Sequence, residues 1–537
     1  GNAIADLLVR DLPLSCYVER DHRENVLGRW HDFELYGMDT WKWRRNVTLS
    51  MGLRWSRYSP AYSDNDRITN FIPRLYDGVN PLSGLVQANT DGFSRSTIDT
   101  YNKGFQPRLG VAWDINGDGK MALRLGFGRF MSRSQVIEDL LRLSSNPPWT
   151  TVVSSNGISS TSRLSDDPTF RSLDTINAGL RNNVAGVGPN TTFQAVSEDF
   201  RPPESYQWNV TLSREFMGNT VVETSYIGNH GLHLWRRGIN FNEVVPSARR
   251  AVALAARNGQ STDALIAANR RLRGVGPIVM DESSGDSTYH ALQIWANRRF
   301  TNRLAFQASY SWSHAITNVP LTSFTSATTD PFNFDLDRGD ADLDRRHIFT
   351  FNAVYSLPSF NDWGKFANQI LGDWQLNVIG SFLSGPPLDV FGVPPSNAGL
   401  ASAPANSGLR PNLVPGAPVY LDIPGDKGAY LNPAAFSLPD AGEFGNLGRG
   451  AIRQPGIENI DFSIVKNWRM RERYGIQFRA EMFNAFNHTN FNGFDTNLSF
   501  QTLRTDPNFG QSTNGNFGRF TSTLAPREIQ FGLKFTF

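Results

Sequence analysis

The last eleven residues of the chain, Arg527 to Phe537, allow few folds. Ile529, Phe531, Leu533, Phe535 and Phe537 share one parity, and Glu528, Gln530, Gly532, Lys534 and Thr536 share the other. A strand turns successive side chains to opposite faces, so this segment is greasy on one side and wettable on the other. Its length suits a tilted strand crossing a bilayer. A soluble protein seldom ends on so apolar a strand with nothing after it to cover the edge. A strand of an outer-membrane barrel can, because lipid meets its apolar face and closure pairs its edges.

The same alternation recurs throughout. Val47, Leu49, Met51, Leu53 and Trp55 show it, as do Leu109, Val111 and Trp113, then Leu123, Leu125 and Phe127. Tyr206 to Leu212, Leu304 to Trp312, Phe349 to Tyr355, Trp374 to Val378, Ile460 to Ile464 and Ile476 to Met482 repeat it. Many such runs, with aromatics near their ends, point to a lipid band flanked by aromatic girdles.

The connections carry a second signal. Short turns fall at Arg44-Arg45, Asn116–Lys120, Met217–Asn219, Thr301-Asn302 and Trp468–Arg473, with a longer one at 358–371. Long stretches, 59–104, 132–203, 231–286, 316–346, 385–457 and 487–526, lie between the hairpins. Short turns at one rim and long loops at the other mark outer-membrane barrels, whose short turns are periplasmic. A soluble sandwich has no reason to sort loop lengths this way. Thirteen strands follow, and a weaker candidate at 12–22 makes roughly fourteen, an even number as bacterial barrels require. Residues 248–272 lack the alternation and are rich in Ala, Leu and Arg, which predicts a helix inside an extracellular loop.

Composition excludes several classes. Hydrophobic residues make up 39% of the 537, and the mean hydropathy is −0.37. The longest aliphatic stretch, Ala251-Val-Ala-Leu-Ala-Ala256, falls far short of the roughly 18–20 residues of a spanning helix. A barrel escapes that average because only alternate residues face lipid. The net charge of +2 gives no argument for nucleic acid. The single cysteine, Cys16, excludes an internal disulfide framework. The chain opens without an initiator Met, a basic segment or an apolar leader, so the expectation is a fragment of a secreted protein.

Motifs for chemistry do not assemble. Asp114-Ile-Asn-Gly-Asp-Gly119 matches half of a calcium loop, but the twelfth position is Leu125 where a bidentate carboxylate is needed, so a tight hairpin turn is expected. Asp335, Asp337, Asp340, Asp342 and Asp344 could hold a hard cation, but with Arg338, Arg345 and Arg346 among them a self-paired charge run is the favoured reading. His230 and His233 lack the further ligands of a zinc site. The expectation is therefore no enzyme, no catalytic residue, no metal and no cofactor. The opposite parity carries polar groups: Arg54, Arg108, Arg124, Arg479, Glu481 and Lys534 are the lumen-facing candidates. Such a lumen suits a water channel or a barrel filled by a hydrogen-bonded plug.

Several segments together resemble a known family. Phe105-Gln-Pro-Arg-Leu-Gly-Val-Ala-Trp-Asp114, Gly119-Lys-Met-Ala-Leu-Arg-Leu-Gly-Phe-Gly-Arg-Phe130, Tyr226-Ile-Gly-Asn-His-Gly231, Asp344-Arg-Arg-His-Ile-Phe349 and the stretches 478–491 and 525–537 are similar to the barrel of TonB-dependent outer-membrane receptors. The likeness is to the Oar-like branch with a carboxypeptidase-regulatory-like domain, of acidobacterial type. The resemblance implies a larger barrel, of about 22 strands, around a plug. It implies gated transport of a bulky solute (a siderophore, cobalamin, glycan or peptide), by import or export, energised by the TonB complex through that plug. No plug, TonB box or regulatory domain is visible in residues 1–537. The whole chain is thus expected to be the C-terminal part of an antiparallel transmembrane β-barrel in the bacterial outer membrane. Its expected partners are outer-membrane lipid, the barrel-assembly machinery, the TonB complex and an unidentified solute. Ile529, Phe531, Leu533, Phe535 and Phe537 serve as the assembly signal. A complete porin-like channel and a secreted soluble β-rich binding protein are the alternatives.

Overall fold

The computed structural model describes residues 16–20, 26–133, 136–149, 152–156, 191–216, 219–319, 328–401, 409–422, 428–470 and 474–537. Its frame is one antiparallel sheet. In chain order its main strands are β1 (Asp32–Arg44), β2 (Val47–Tyr58), β3 (Tyr101–Asp114), β4 (Met121–Met131), β5 (Glu204–Phe216), β6 (Thr220–Asn240), β7 (Ile278–Thr301), β8 (Leu304–Thr317), β9 (His347–Ser356), β10 (Trp374–Leu383), β11 (Ile457–Met470), β12 (Tyr474–Phe483) and β13 (Glu528–Thr536). Each pairs with its neighbours in sequence. This meander has low topological complexity, because every hairpin joins adjacent strands.

The sheet is open. Among the described residues β1 and β13 form its two edges and do not pair with each other. Both are exposed along their whole length.

Sequence and structure differ at three places. Of the candidate strand at 12–22, the described part, Cys16–Arg20, pairs with Val152–Asn156 in a separate ribbon, so among the described residues the main path has thirteen strands and not fourteen. β6 and β7 run well past the expected limits of 230 and 287. Register shifts after Gly231, Leu234 and Arg236 break the period of two there, so side-chain alternation fails while pairing continues. The connection 358–371 contains a helix. By contrast, the stretch 248–272 does hold helices, α2 (Arg249–Arg257) and α3 (Asp263–Ala268), preceded in the chain by α1 (Val136–Leu143). Among the described residues no helix is long and apolar enough to cross a membrane.

Turn chemistry explains the short connections. Asn302 and Arg303 both take positive φ, 53° and 70°, as a type I′ hairpin turn requires. Between β3 and β4 the Asp114 carboxylate accepts the backbone N–H groups of Gly117 and Gly119 at 3.0 and 2.9 Å, so it builds a turn. Gly119 has φ of 74°, and a Cβ there would touch nothing. Gly119→Ala therefore isolates backbone strain: a loss of about 1 kcal/mol is expected from urea titration in micelles. The turns at 217–218 and 471–473 lie outside the described residues.

The long connections pack into a layer with its own cores. Leu388, Val390, Val393, Leu409, Leu431, Phe436, Leu498 and Phe517 join the connections 385–457 and 487–526. Ile68, Leu140, Leu143 and Val196 form a second core, and Phe71, Phe193, Ile278 and Met280 a third. Apolar residues in these stretches therefore hold loops together across long sequence separations.

Candidate functional site

Strand register sorts the sheet into two faces. On one, Ile529 is opposite Met482, Met482 opposite Phe462, Phe462 opposite Val378, Val378 opposite Ala353, and Ala353 opposite Phe306. The same face continues through Ile294, Tyr226 and Val210 to Leu125, Val111, Leu49 and Trp41. It is predominantly apolar from one edge strand to the other, interrupted by Asp39, Thr224, Arg298 and Lys466, and many of its large side chains are exposed: Met51, Leu109, Phe127, Val210, Trp312, Phe531 and Leu533. An exposed apolar surface of that extent is not tolerated in water.

Aromatics mark its two margins. Trp55 faces Phe105 at one end of the β2–β3 pair, and Trp113 faces Val47 at the other. That separation is about 27 Å of strand, or about 20 Å of membrane thickness at the usual tilt. Tyr226 stacks on His290 and donates or accepts a 2.8 Å hydrogen bond with its Nδ1, and Tyr310 does the same with His347 at 2.9 Å.

The other face is a polar ladder. Arg54, Arg108, Arg124, Arg479, Glu481 and Lys534 all lie on it by register: Arg54 opposite Gln106, Arg108 opposite Gly128, Arg124 opposite Thr211, and Glu481 between Ser463 and Gln530. Arg54 pairs with Glu34, and Arg124 reaches Ser213 at 3.0 Å and Glu223 at 3.4 Å. Arg108 sits over the Phe130 ring, 4.7 Å from its centre. Arg479 meets Gln477 and Glu481, and Glu481 accepts from Gln530 at 2.6 Å. Lys534 is in register with Gln477. Asn377, Ser463, Thr211 and Ser225 continue the ladder with side-chain hydrogen bonds of 2.9 Å. The six residues thus share one face but form separate small clusters along it. The partners Glu34 and Gln530 carried no local signal of their own, beyond falling on the same parity.

Beyond the sheet, the acidic run becomes a latch. Asp340 accepts from His314 at 2.8 Å and Arg346 at 3.0 Å, and also pairs with Arg453. Asp344 accepts from Arg453 at 2.5 Å and from the Ala315 N–H at 2.6 Å. Asp342 pairs with Arg449 at 2.8 Å. Asp337 accepts the Thr329 N–H and lies 3.5 Å from the buried Arg236. The carboxylates are committed to arginines, which ties the connection 328–346 to the connection 385–457. His230 and His233 have different partners, Thr288 and Glu204.

Burial works to raise the Asp340 carboxyl, but hydrogen bonds from His314 and Arg453 and the charges of Arg346 and Arg453 outweigh it and hold it below 3.8. Burial dominates at Asp337 and pushes its carboxyl up. A depressed carboxyl stabilises the fold fully above its ordinary value and loses that stabilisation as pH falls through the lower, folded value. Protection factors (exchange corrected for its intrinsic pH dependence) around Asp340 are therefore expected to fall only below about pH 3.8, whereas protonation of the raised Asp337 carboxyl acts in the stabilising direction as pH falls.

An antiparallel sheet with one lipid-ready face, one polar face and short turns at one rim defines the class: a transmembrane β-barrel wall. Residues 2–530 match the family described as outer membrane beta barrel domain, and the chain belongs to it. That places it in the bacterial outer membrane and removes the soluble alternative. The chain is similar to the TonB-dependent transporter Oar of Myxococcus xanthus, with 22% identity over 541 residues, 93% of this chain and 42% of the relative. It spans less than half of that relative's length. Among solved structures it is similar to the outer membrane transporter YddB from Escherichia coli, at 10% identity, 94% of this chain, 45% of that chain and a TM-score of 0.43. The FrpB iron transporter from Neisseria meningitidis matches at 10% identity, 94% of this chain, 44% of that chain and a TM-score of 0.39.

Proposed function

We propose that residues 1–537 form the C-terminal part of the barrel of a TonB-dependent outer-membrane transporter. The observation that supports this reading is the pair of edges, unpaired among the described residues, on a sheet with one predominantly apolar face. In hydrocarbon each unpaired backbone group costs several kcal/mol, so β1 and β13 need further strands between them. The length of the Oar relative leaves room for such strands and for a plug. In this role Arg54, Arg108, Arg124, Arg479, Glu481 and Lys534 line the lumen and hydrogen-bond to plug or water. The layer of long connections meets a bulky solute outside the cell. The TonB complex acts through the plug, so this wall guides transport and performs no catalysis. Ile529, Phe531, Leu533, Phe535 and Phe537 form the strand that the barrel-assembly machinery recognises.

Planar-bilayer recording tests the proposal. The chain alone is expected to give no steady open pore. A stable, uniform conductance would mean that thirteen strands close by themselves, and would favour the porin-like channel instead.

A further inference from the structure

The connection between β9 and β10 carries a 3-10 turn, Asn361–Trp363, followed by helix α4 (Lys365–Leu371). Three contacts fix the side of the wall on which it lies. The Trp374 indole N–H donates to the Ile370 carbonyl at 2.7 Å, and the Trp468 indole N–H donates to the Gln369 carbonyl at 2.9 Å. The Lys466 ammonium donates to the carbonyls of Gly372 and Asn368. All three donors belong to the apolar face, because Trp374 is opposite Lys466, Lys466 opposite Phe478, and Trp468 opposite Ile476. Lys466 is only 2% exposed there. The helix therefore covers the outer surface of the wall, at the rim of short connections.

Its own outward side is greasy. Trp363 is 70% exposed, Phe366 77% and Ile370 50%. Phe366 and Ile370, four apart, form a row on one side of α4, and exposed Trp363 leads into it across the non-helical Gly364. This row continues the apolar face of β10 and β11. The polar groups turn the other way: the Asn368 side chain accepts the Phe360 N–H at 2.7 Å, and the helix's terminal carbonyls satisfy the Lys466 charge.

We propose that α4 is an in-plane foot whose Trp363–Phe366–Ile370 row inserts among the acyl chains of the periplasmic leaflet. The inference rests on the reading of the apolar face as lipid-facing, and adds a separate lipid contact outside the strands. Continuity with that face selects glycerophospholipid over a protein partner. Interfacial helices sink about 5–10 Å below the headgroups, and tryptophan favours that depth. By carrying lysine and helix end as a self-satisfied pair, the foot allows a cation to sit on the lipid side without meeting hydrocarbon.

The test uses the full chain with Cys16→Ser, carrying Phe366→Cys or Val378→Cys, each labelled with a fluorophore. The protein is placed in vesicles of phosphatidylethanolamine and phosphatidylglycerol doped with spin-labelled lipid. Position 366 is expected to be quenched roughly twofold more by a shallow lipid spin label than by a deep one, and to be protected from aqueous iodide. Position 378, on the apolar face of β10, is expected to prefer the deep label. Iodide quenching at 366 with lipid quenching at 378 would overturn the foot and leave the barrel reading standing. Protection of 366 from iodide without lipid quenching would mean that protein covers the row, which also overturns the foot. Absence of lipid quenching at both positions would remove the lipid-facing reading and the foot with it.

Discussion

Ile464→Arg is expected to destabilise the folded sheet by about 2–4 kcal/mol, whereas Ser463→Arg, one residue away, is expected to change it by less than about 0.5 kcal/mol. Ile464 lies mid-strand on β11 between Leu376 and Ala480, within the apolar face. A guanidinium there must be taken out of water or must drag water into the hydrocarbon. Ser463 lies between Asn377 and Glu481 on the polar face, where an added cation gains a carboxylate neighbour. Chemical denaturation of the two variants in phospholipid vesicles measures the difference. Equal losses would mean that the two faces meet the same medium.

The second large effect concerns the latch. Arg453→Ala is expected to raise the free-energy cost of keeping Asp344 and Asp340 in place by about 3 kcal/mol. Arg453 bridges both carboxylates and lies nearer to Asp344, at 2.5 Å, than the second bridging cation Arg346, at 3.6 Å, and the Asp344 side chain is fully enclosed. Burial works to lower the Arg453 guanidinium, but its bonds to Asp344 and Asp340 outweigh that and hold it up. Removing it leaves the enclosed Asp344 carboxylate with only the more distant Arg346 and the Ala315 N–H, and the response is local opening of 328–346 and 385–457. Hydrogen exchange should accelerate in both connections and leave β10 to β12 unchanged. A uniform acceleration over the sheet, or none, would show that the latch does not hold the loops.

The strands were legible wherever the medium imposes a period of two. Residues 47–58, 121–131 and 204–216 read true because lipid and polar surroundings act on alternate side chains from end to end. The period fails at 231–240, where bulges shift parity, and there the sequence underestimated β6 and β7. The segment at 12–22 has strand character, but its described part, Cys16–Arg20, pairs with Val152–Asn156, and no local pattern distinguishes which edge a strand will find. Asp340 and Asp344 were visible as a charge run, but their partner Arg453 lies more than a hundred residues away, where it looks like any loop arginine. The helix at 365–371 does not stand out from its connection in the sequence, since seven residues give too few turns for a helical stripe. The polar face was readable as a parity. Its clustering into Arg54 with Glu34, Arg124 with Glu223, and Arg479 with Glu481 depends on cross-strand register.

The most direct measurement is a spin-label scan along β11, one site at a time from 459 to 467, in phospholipid vesicles. Collision rates with oxygen, which concentrates in lipid, and with a water-soluble nickel complex should alternate out of phase with a period of two, oxygen leading at 460, 462 and 464. Labels at those three positions shielded from both reagents would mean a dry protein interior behind the Phe, Leu and Ile rows, and would contradict the membrane wall.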